Sequence, residues 1–197
     1  MAFAQRCPGG AEIELTMLFA DVRGSTGLAE EMTPTDFGRL MNRFYRVATD
    51  VLIDSDAVID KLVGDQVIGL YLPMFTGPNH ARPAIVAARR LLEVAGHNTD
   101  QGPWLQIGVG VHAGSAYVGT VSGADDTVTD ITALGDNMNI GARLSSLARP
   151  GEVLVSEAAL RISGLDLRAL ELRRLELKGR SEPVDVRVIR TAAAMPS

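Results

Sequence analysis

The chain has almost no cysteine: Cys7 is the only one in 197 residues. A disulfide framework and a cysteine-based zinc site are both excluded, and a reducing cytoplasm is the expected setting. Positive charge is not in excess either. Nineteen Lys and Arg stand against 24 Asp and Glu for a net charge of −5, and no basic tract stands out, which argues against nucleic acid as a partner. No apolar run approaches the roughly 20 residues that span a bilayer, and the N-terminus lacks a signal-peptide core, so no membrane association is expected and the chain reads as soluble. There is no internal repeat and no linker that would separate two domains. With 46% hydrophobic residues the chain can bury a sizeable core. The expected organisation is a flexible leader over 1–12, carrying Pro8-Gly9-Gly10, one folded domain over 13–191, and a frayed tail over 192–197.

Three stretches carry chemistry. Leu15-Thr16-Met17-Leu18-Phe19-Ala20-Asp21-Val22-Arg23-Gly24-Ser25-Thr26 reads as a buried strand that ends in a carboxylate and runs into a small-residue turn able to open a helix. An acid ending an apolar run is costly to bury unless something positive meets it, and the free N–H groups of Gly-Ser-Thr suit an anion; a metal ion between Asp21 and a phosphate satisfies both. Asp60-Lys61-Leu62-Val63-Gly64-Asp65-Gln66-Val67-Ile68-Gly69-Leu70 reads as a hairpin with a second carboxylate, Asp65, at its tip. Thr132-Ala133-Leu134-Gly135-Asp136-Asn137-Met138-Asn139-Ile140-Gly141-Ala142-Arg143-Leu144 reads as a strand end running into a helix, with Asn139 and Arg143 four apart on one face.

Taken together and in this order, the three stretches resemble the catalytic domain of the class III nucleotidyl cyclases over about residues 14–190. The resemblance implies an α+β fold, a ferredoxin-like βαββαβ palm with C-terminal additions, which the order of the elements also suggests. Diguanylate cyclases share a palm of this kind, but the chain has no Gly-Gly-acid-acid-Phe stretch. The implied activity is adenylate cyclase, which converts ATP to 3′,5′-cyclic AMP and pyrophosphate with two Mg²⁺ or Mn²⁺ ions per site. Asp21 and Asp65 match the metal carboxylates, and the Val22 carbonyl is an expected further ligand. Arg143 matches the transition-state arginine and Asn139 the ribose-orienting asparagine, while Lys178 and Arg180 resemble the basic residues that contact the terminal phosphates.

Base choice falls to Lys61 and Thr132. Lysine only donates, adenine N1 accepts and guanine N1 carries a hydrogen, so Lys61 favours ATP. Thr132 accepts from the adenine amino group but can also donate to guanine O6. Guanylyl cyclases of the family typically carry Glu and Cys at these places. Threonine resembles the subgroup with bicarbonate-responsive members. The resemblance further implies a head-to-tail homodimer with shared sites, and it admits a regulatory domain or protein as partner. The alternative is a non-catalytic cyclase-homology module that binds nucleotide and regulates a partner; loss of a metal Asp or of Arg143 would mark it, and each is present. Asn137, Gly141 and Gln66 are the small departures from the family pattern.

Elsewhere, Thr33-Pro34-Thr35-Asp36 starts a helix whose apolar residues from Phe37 to Leu52 recur at helical spacing. A loop is expected around Pro73 and Gly77-Pro78, then a helix over 81–95. Strands are expected over 105–112 and 115–122, with His112 a hydrogen-bonded structural residue and His97 a capping charge or solvated. Asp125-Asp126, Arg89-Arg90 and Arg173-Arg174 read as solvated. The helix over 136–148 is expected to turn Met138, Ala142, Leu144 and Leu147 inward. A short strand over 152–155, a helix capped by Ser156, an irregular strand within 165–177 and a final strand through Val184, Val186 and Val188 complete the reading.

Overall fold

The computed structural model describes residues 10–122, 129–179 and 182–191, and only the backbone of 121, 122 and 129–131. Arg180, the turn with Asp125 and Asp126, residues 1–9 of the leader and the 192–197 tail lie outside the described residues.

Strand β1 (Ala11–Val22) is an interior strand of the sheet, paired along both edges. Its run from Leu15 to Ala20 is buried throughout, as expected of a strand covered on both faces. Leu18, Ala20 and Val22 face one core, while Leu15, Met17 and Phe19 face another. β2 (Val58–Val63) and β3 (Gln66–Tyr71) form the expected hairpin, and β3 pairs antiparallel with β1. On the other side β1 pairs antiparallel with β4 (Ile107–Ser122). β5 (Thr129–Leu134) pairs with the far half of β4, and β6 (Glu152–Ser156) runs parallel to its near half. β8 (Val184–Arg190) and β7 (Leu172–Leu175) complete the order β2-β3-β1-β4-β6-β8-β7. The fold is α+β and mainly antiparallel, as expected.

Six helices attach to this sheet among the described residues. α1 (Ser25–Glu31) follows β1 directly. α2 (Pro34–Asp54) starts where the sequence predicts, with Thr33 Oγ1 accepting the Asp36 N–H at 3.2 Å. α3 (Pro73–Thr76) is a single turn where a loop was expected, since Pro73 is preorganised for the first helical position. α2, α4 (Ala81–Val94) and α6 (Glu157–Ser163) cover one face, and α5 (Asp136–Leu147) lies on the other.

Three further differences have physical causes. The expected strands 105–112 and 115–122 are one strand, because β1 pairs with β4 without a break through Leu15↔Gly114, and β1 itself begins at Ala11, opposite Val118. Leu147 is 46% exposed rather than inward: Ile140, Gly141, Leu144 and Ser145 face the protein, and Leu147 falls on the side shared with Arg143. Arg173 is not solvated. It grips the buried Glu152 carboxylate through both terminal nitrogens at 2.8 and 3.0 Å, and Arg190 adds a third contact at 2.7 Å. No described helix is long and apolar enough to cross a membrane.

Candidate active site

The two expected metal carboxylates are brought together by backbone pairing. Asp21 ends β1 opposite Gln66. One residue on, the Val22 N–H donates to the Asp65 carbonyl at 3.0 Å, which ties the hairpin tip to the strand end. Gly64 supplies the positive φ (60°) that the two-residue Gly64-Asp65 turn requires. Tyr45 of α2 donates its hydroxyl hydrogen to the Gly64 carbonyl, and Ser25 Oγ donates to Asp65 Oδ2.

Asp21 is surrounded by groups that answer its charge. The Arg23 guanidinium pairs with Asp21 Oδ1, and Gln66 Nε2 donates to Oδ2 at 3.3 Å. Burial pushes the Asp21 carboxyl above its usual range; Arg23 pulls it back, and the neighbouring Asp65 charge adds to the rise. Arg23 also donates to the Ser146 carbonyl at 2.9 Å, and Gln66 to Ser145 Oγ at 3.3 Å, so the acidic end of β1 is joined to the C-terminal turn of α5.

α5 reaches this position because two glycines remove side chains from its path. A Cβ on Gly110 of β4 would lie 2.4 Å from the Ser145 nitrogen, and one on Gly141 would lie 2.5 Å from Phe19 Cε2. Asn139 is exposed on this helix and Arg143 half-buried, on the same side. Arg143 Nη1 donates to the Lys178 carbonyl, so these two expected residues also meet. That contact lies toward the turn between β7 and β8. Asp21 lies toward β1, and β4 and β6 separate the two. Lys61 sits on β2 just past a register shift, half-buried; Thr132 is buried on β5, a strand that touches β2.

Comparison with known proteins gives the family of the chain. The model of the Adenylate and Guanylate cyclase catalytic domain matches residues 11–189. The chain belongs to that family. Over 89% of its length it is 32% identical to an uncharacterized protein of Mycobacterium tuberculosis, and over 87% it is 25% identical to an adenylate cyclase of Anabaena cylindrica. It spans about a third of the length of these relatives, 32% and 36%. Among solved structures it resembles the adenylyl cyclase CyaB from P. aeruginosa, with a TM-score of 0.79 and 26% identity over 91% of this chain and 95% of that one. The guanylyl cyclase Cya2 shares the fold, with a TM-score of 0.80 and 23% identity over 91% and 93%.

The donor set of this cyclase domain suits a hard divalent ion. Two carboxylates converge, and no group of three or more His, Cys, Asp or Glu able to hold a metal occurs among the described residues. Mg²⁺ is typically held by one or two carboxylates with substrate phosphates completing its shell. Sequence reasoning missed Arg23, Tyr45 and Ser25 as the groups that hold the two aspartates. Arg23 was readable: it is the first residue of the turn after β1, two positions past Asp21, close enough for its guanidinium to fold back onto that carboxylate.

Proposed function

We propose that this domain is an adenylate cyclase that converts ATP to 3′,5′-cyclic AMP and pyrophosphate at sites shared between two copies of the chain. The observation that carries the reading is the convergence of Asp21 and Asp65 on one strand end, with Asn139 and Arg143 presented together from α5. The ribose 3′-oxygen attacks the α-phosphorus of its own nucleotide, loses its proton and expels pyrophosphate. Nucleophile and electrophile belong to one molecule, so the protein's task is alignment and charge stabilisation. Asp21 and Asp65, with the Val22 carbonyl, would hold Mg²⁺ or Mn²⁺, two per site; when bound, these ions acidify the 3′-hydroxyl and neutralise the phosphates. Asn139 orients the ribose. Arg143 holds the charge that develops on the α-phosphate, and Lys178 and Arg180 hold the terminal phosphates. Lys61 donates to adenine N1, and the buried Thr132 has the softer role of accepting from the amino group.

Sharing between chains is supported by the direction of Arg143. Within one chain it turns toward the β7–β8 side, away from Asp21. A two-fold dimer would bring Arg143 of one copy to the metal carboxylates of the other and build both sites at once. The catalytic unit, expected over 13–191, starts with β1 at Ala11 and is taken to act in the cytoplasm, with regulation by a further domain or a protein partner. The decisive assay offers ATP and GTP separately to the purified chain with Mg²⁺ and with Mn²⁺. Metal-dependent cyclic AMP is expected. Preferential cyclic GMP would overturn the base assignment, and nucleotide binding without cyclisation would favour the regulatory module.

A further inference from the structure

His112 of β4 joins two helices from within the sheet. It is 5% exposed, with Nδ1 2.8 Å from Ser156 Oγ and Nε2 3.0 Å from Asn137 Oδ1. Asn137 Nδ2 in turn donates to the Ser115 carbonyl at 2.8 Å. A carbonyl oxygen only accepts, so this contact sets the amide's orientation and turns Oδ1 toward His112. Oδ1 also only accepts, which places a hydrogen on Nε2. Ser156 Oγ already accepts the Ala159 N–H at 3.2 Å as the cap of α6, so its own hydrogen is free to point at Nδ1.

A second observation gives this chain of contacts a purpose. The residue before α5, Gly135, offers no side-chain cap, so the helix that carries Asn139 and Arg143 begins without the usual local lock. Asn137, its second residue, instead lies against β4 at Gly114, where a Cβ would come within 2.5 Å of Asn137 Cγ.

We propose that His112 and Asn137 are positioning residues for the cyclase reaction: the imidazole, acting through the Asn137 amide, fixes the first turn of α5 on β4 and so places Asn139 and Arg143. The proposal rests on the cyclase reading of those two residues. His112→Gln carries an amide nitrogen near the place of Nε2 and keeps a donor for Asn137. His112→Asn carries its amide near Nδ1, keeps Ser156 in reach and loses Asn137.

The test compares His112→Gln, His112→Asn, Asn137→Ala and the His112→Asn/Asn137→Ala pair in the full chain. Turnover of ATP is measured with Mn²⁺, and amide hydrogen exchange at Met138 to Gly141 is measured without nucleotide. His112→Asn and Asn137→Ala should each lower kcat by about tenfold to a hundredfold with little change in KM, as small misplacements of catalytic groups do. The double variant should be no worse than Asn137→Ala. His112→Gln should recover most of the lost kcat, and only the variants that break the Asn137 contact should exchange faster at the start of α5. Equal losses for Gln and Asn, or a lower melting temperature with unchanged kcat, would overturn the proposal. A parent chain that forms no cyclic nucleotide would refute the cyclase reading instead. The exchange measurement still decides in that case, since unaltered exchange in His112→Asn would show that His112 does not hold the helix.

Discussion

Gly141→Ala and Gly38→Ala are the same chemical change in two helices and should have opposite signs. Both residues lie inside helices, α5 and α2, where alanine is favoured over glycine by about 1 kcal/mol. At Gly38 nothing lies within 4 Å of the added Cβ. The gain there is kept, and the melting temperature should rise by about 2–4 °C. At Gly141 the Cβ would lie 2.5 and 2.8 Å from two Phe19 ring carbons and 3.2 Å from Met17 Cγ. The Phe19 ring is only 3% exposed and has little room to turn. Overpacking of this kind costs about 1–3 kcal/mol. Two contacts inside 3 Å put the cost in the upper half of that range, which leaves a net loss of about 1–2 kcal/mol and a fall of roughly 2–8 °C. Denaturant titration and thermal melts of both variants beside the parent measure this directly. Gly141→Ala matching Gly38→Ala in stability would refute the claim that glycine is what lets α5 lie so close to β1.

The remaining expectations concern the site and the ion-pair network. Asp21→Ala and Asp65→Ala should each abolish metal-dependent turnover with the thermal melt preserved, and normal turnover by either would end the metal assignment. Asp21→Ala mixed with Arg143→Ala, each nearly inactive alone, should regain activity toward about a quarter of the parent through heterodimers with one intact site; subunits that exchange without recovery would mean that each chain holds a complete site. Lys61→Glu with Thr132→Cys should shift the ratio of cyclic AMP to cyclic GMP toward the latter, since glutamate accepts from guanine N1–H, and an unchanged ratio would remove these residues from base reading. For Glu152, burial raises the carboxyl pKa, but the hydrogen bonds from Arg173, the Arg149 backbone N–H and Arg190 outweigh it and pull the value down to about 2. A depressed carboxylate contributes stability above its unfolded value near 4.5 that is lost as pH falls toward 2. Linkage puts the contribution on the order of 3 kcal/mol. The stability gap between the parent and Glu152→Gln should narrow from pH 5 to pH 2, and a pH-independent gap would contradict the account.

Local signals in the sequence were legible where one element decides the outcome. Thr33, Pro34 and Asp36 announce a helix start by short-range hydrogen bonding, the Gly64-Asp65 turn is set by the glycine's backbone freedom, and the apolar run before Asp21 marks a strand covered on both faces. What was not legible depends on packing between distant segments. Gly114 looks like a break between strands until β1 is laid beside it. Leu147 looks like core until the tilt of α5 is known, and Arg173 looks solvated because its partner Glu152 belongs to another strand. The carboxylates of the candidate site could be read as strand ends, whereas the turn of Arg143 toward Lys178 follows from where the β7–β8 connection passes.

The pairing of β1 with β4 also governs how the chain is made. Ala11 pairs with Val118 and Val22 with Ile107, so every rung of that ladder joins the first third of the chain to the second. The β2–β3 hairpin closes over two residues and can zip at once. Non-local pairings of the β1–β4 kind slow folding, because loop entropy is lost before contacts form. During synthesis at about 5–20 residues per second, β4 emerges roughly 5–20 s after β1. Over that interval only β3 is available to cover an edge of β1, whose run from Leu15 to Ala20 is buried throughout in the folded protein. β1, an interior strand flanked by β3 and β4, is the one that waits for its partner, and the arrival of the glycine-lined β4 sets the pace of assembly.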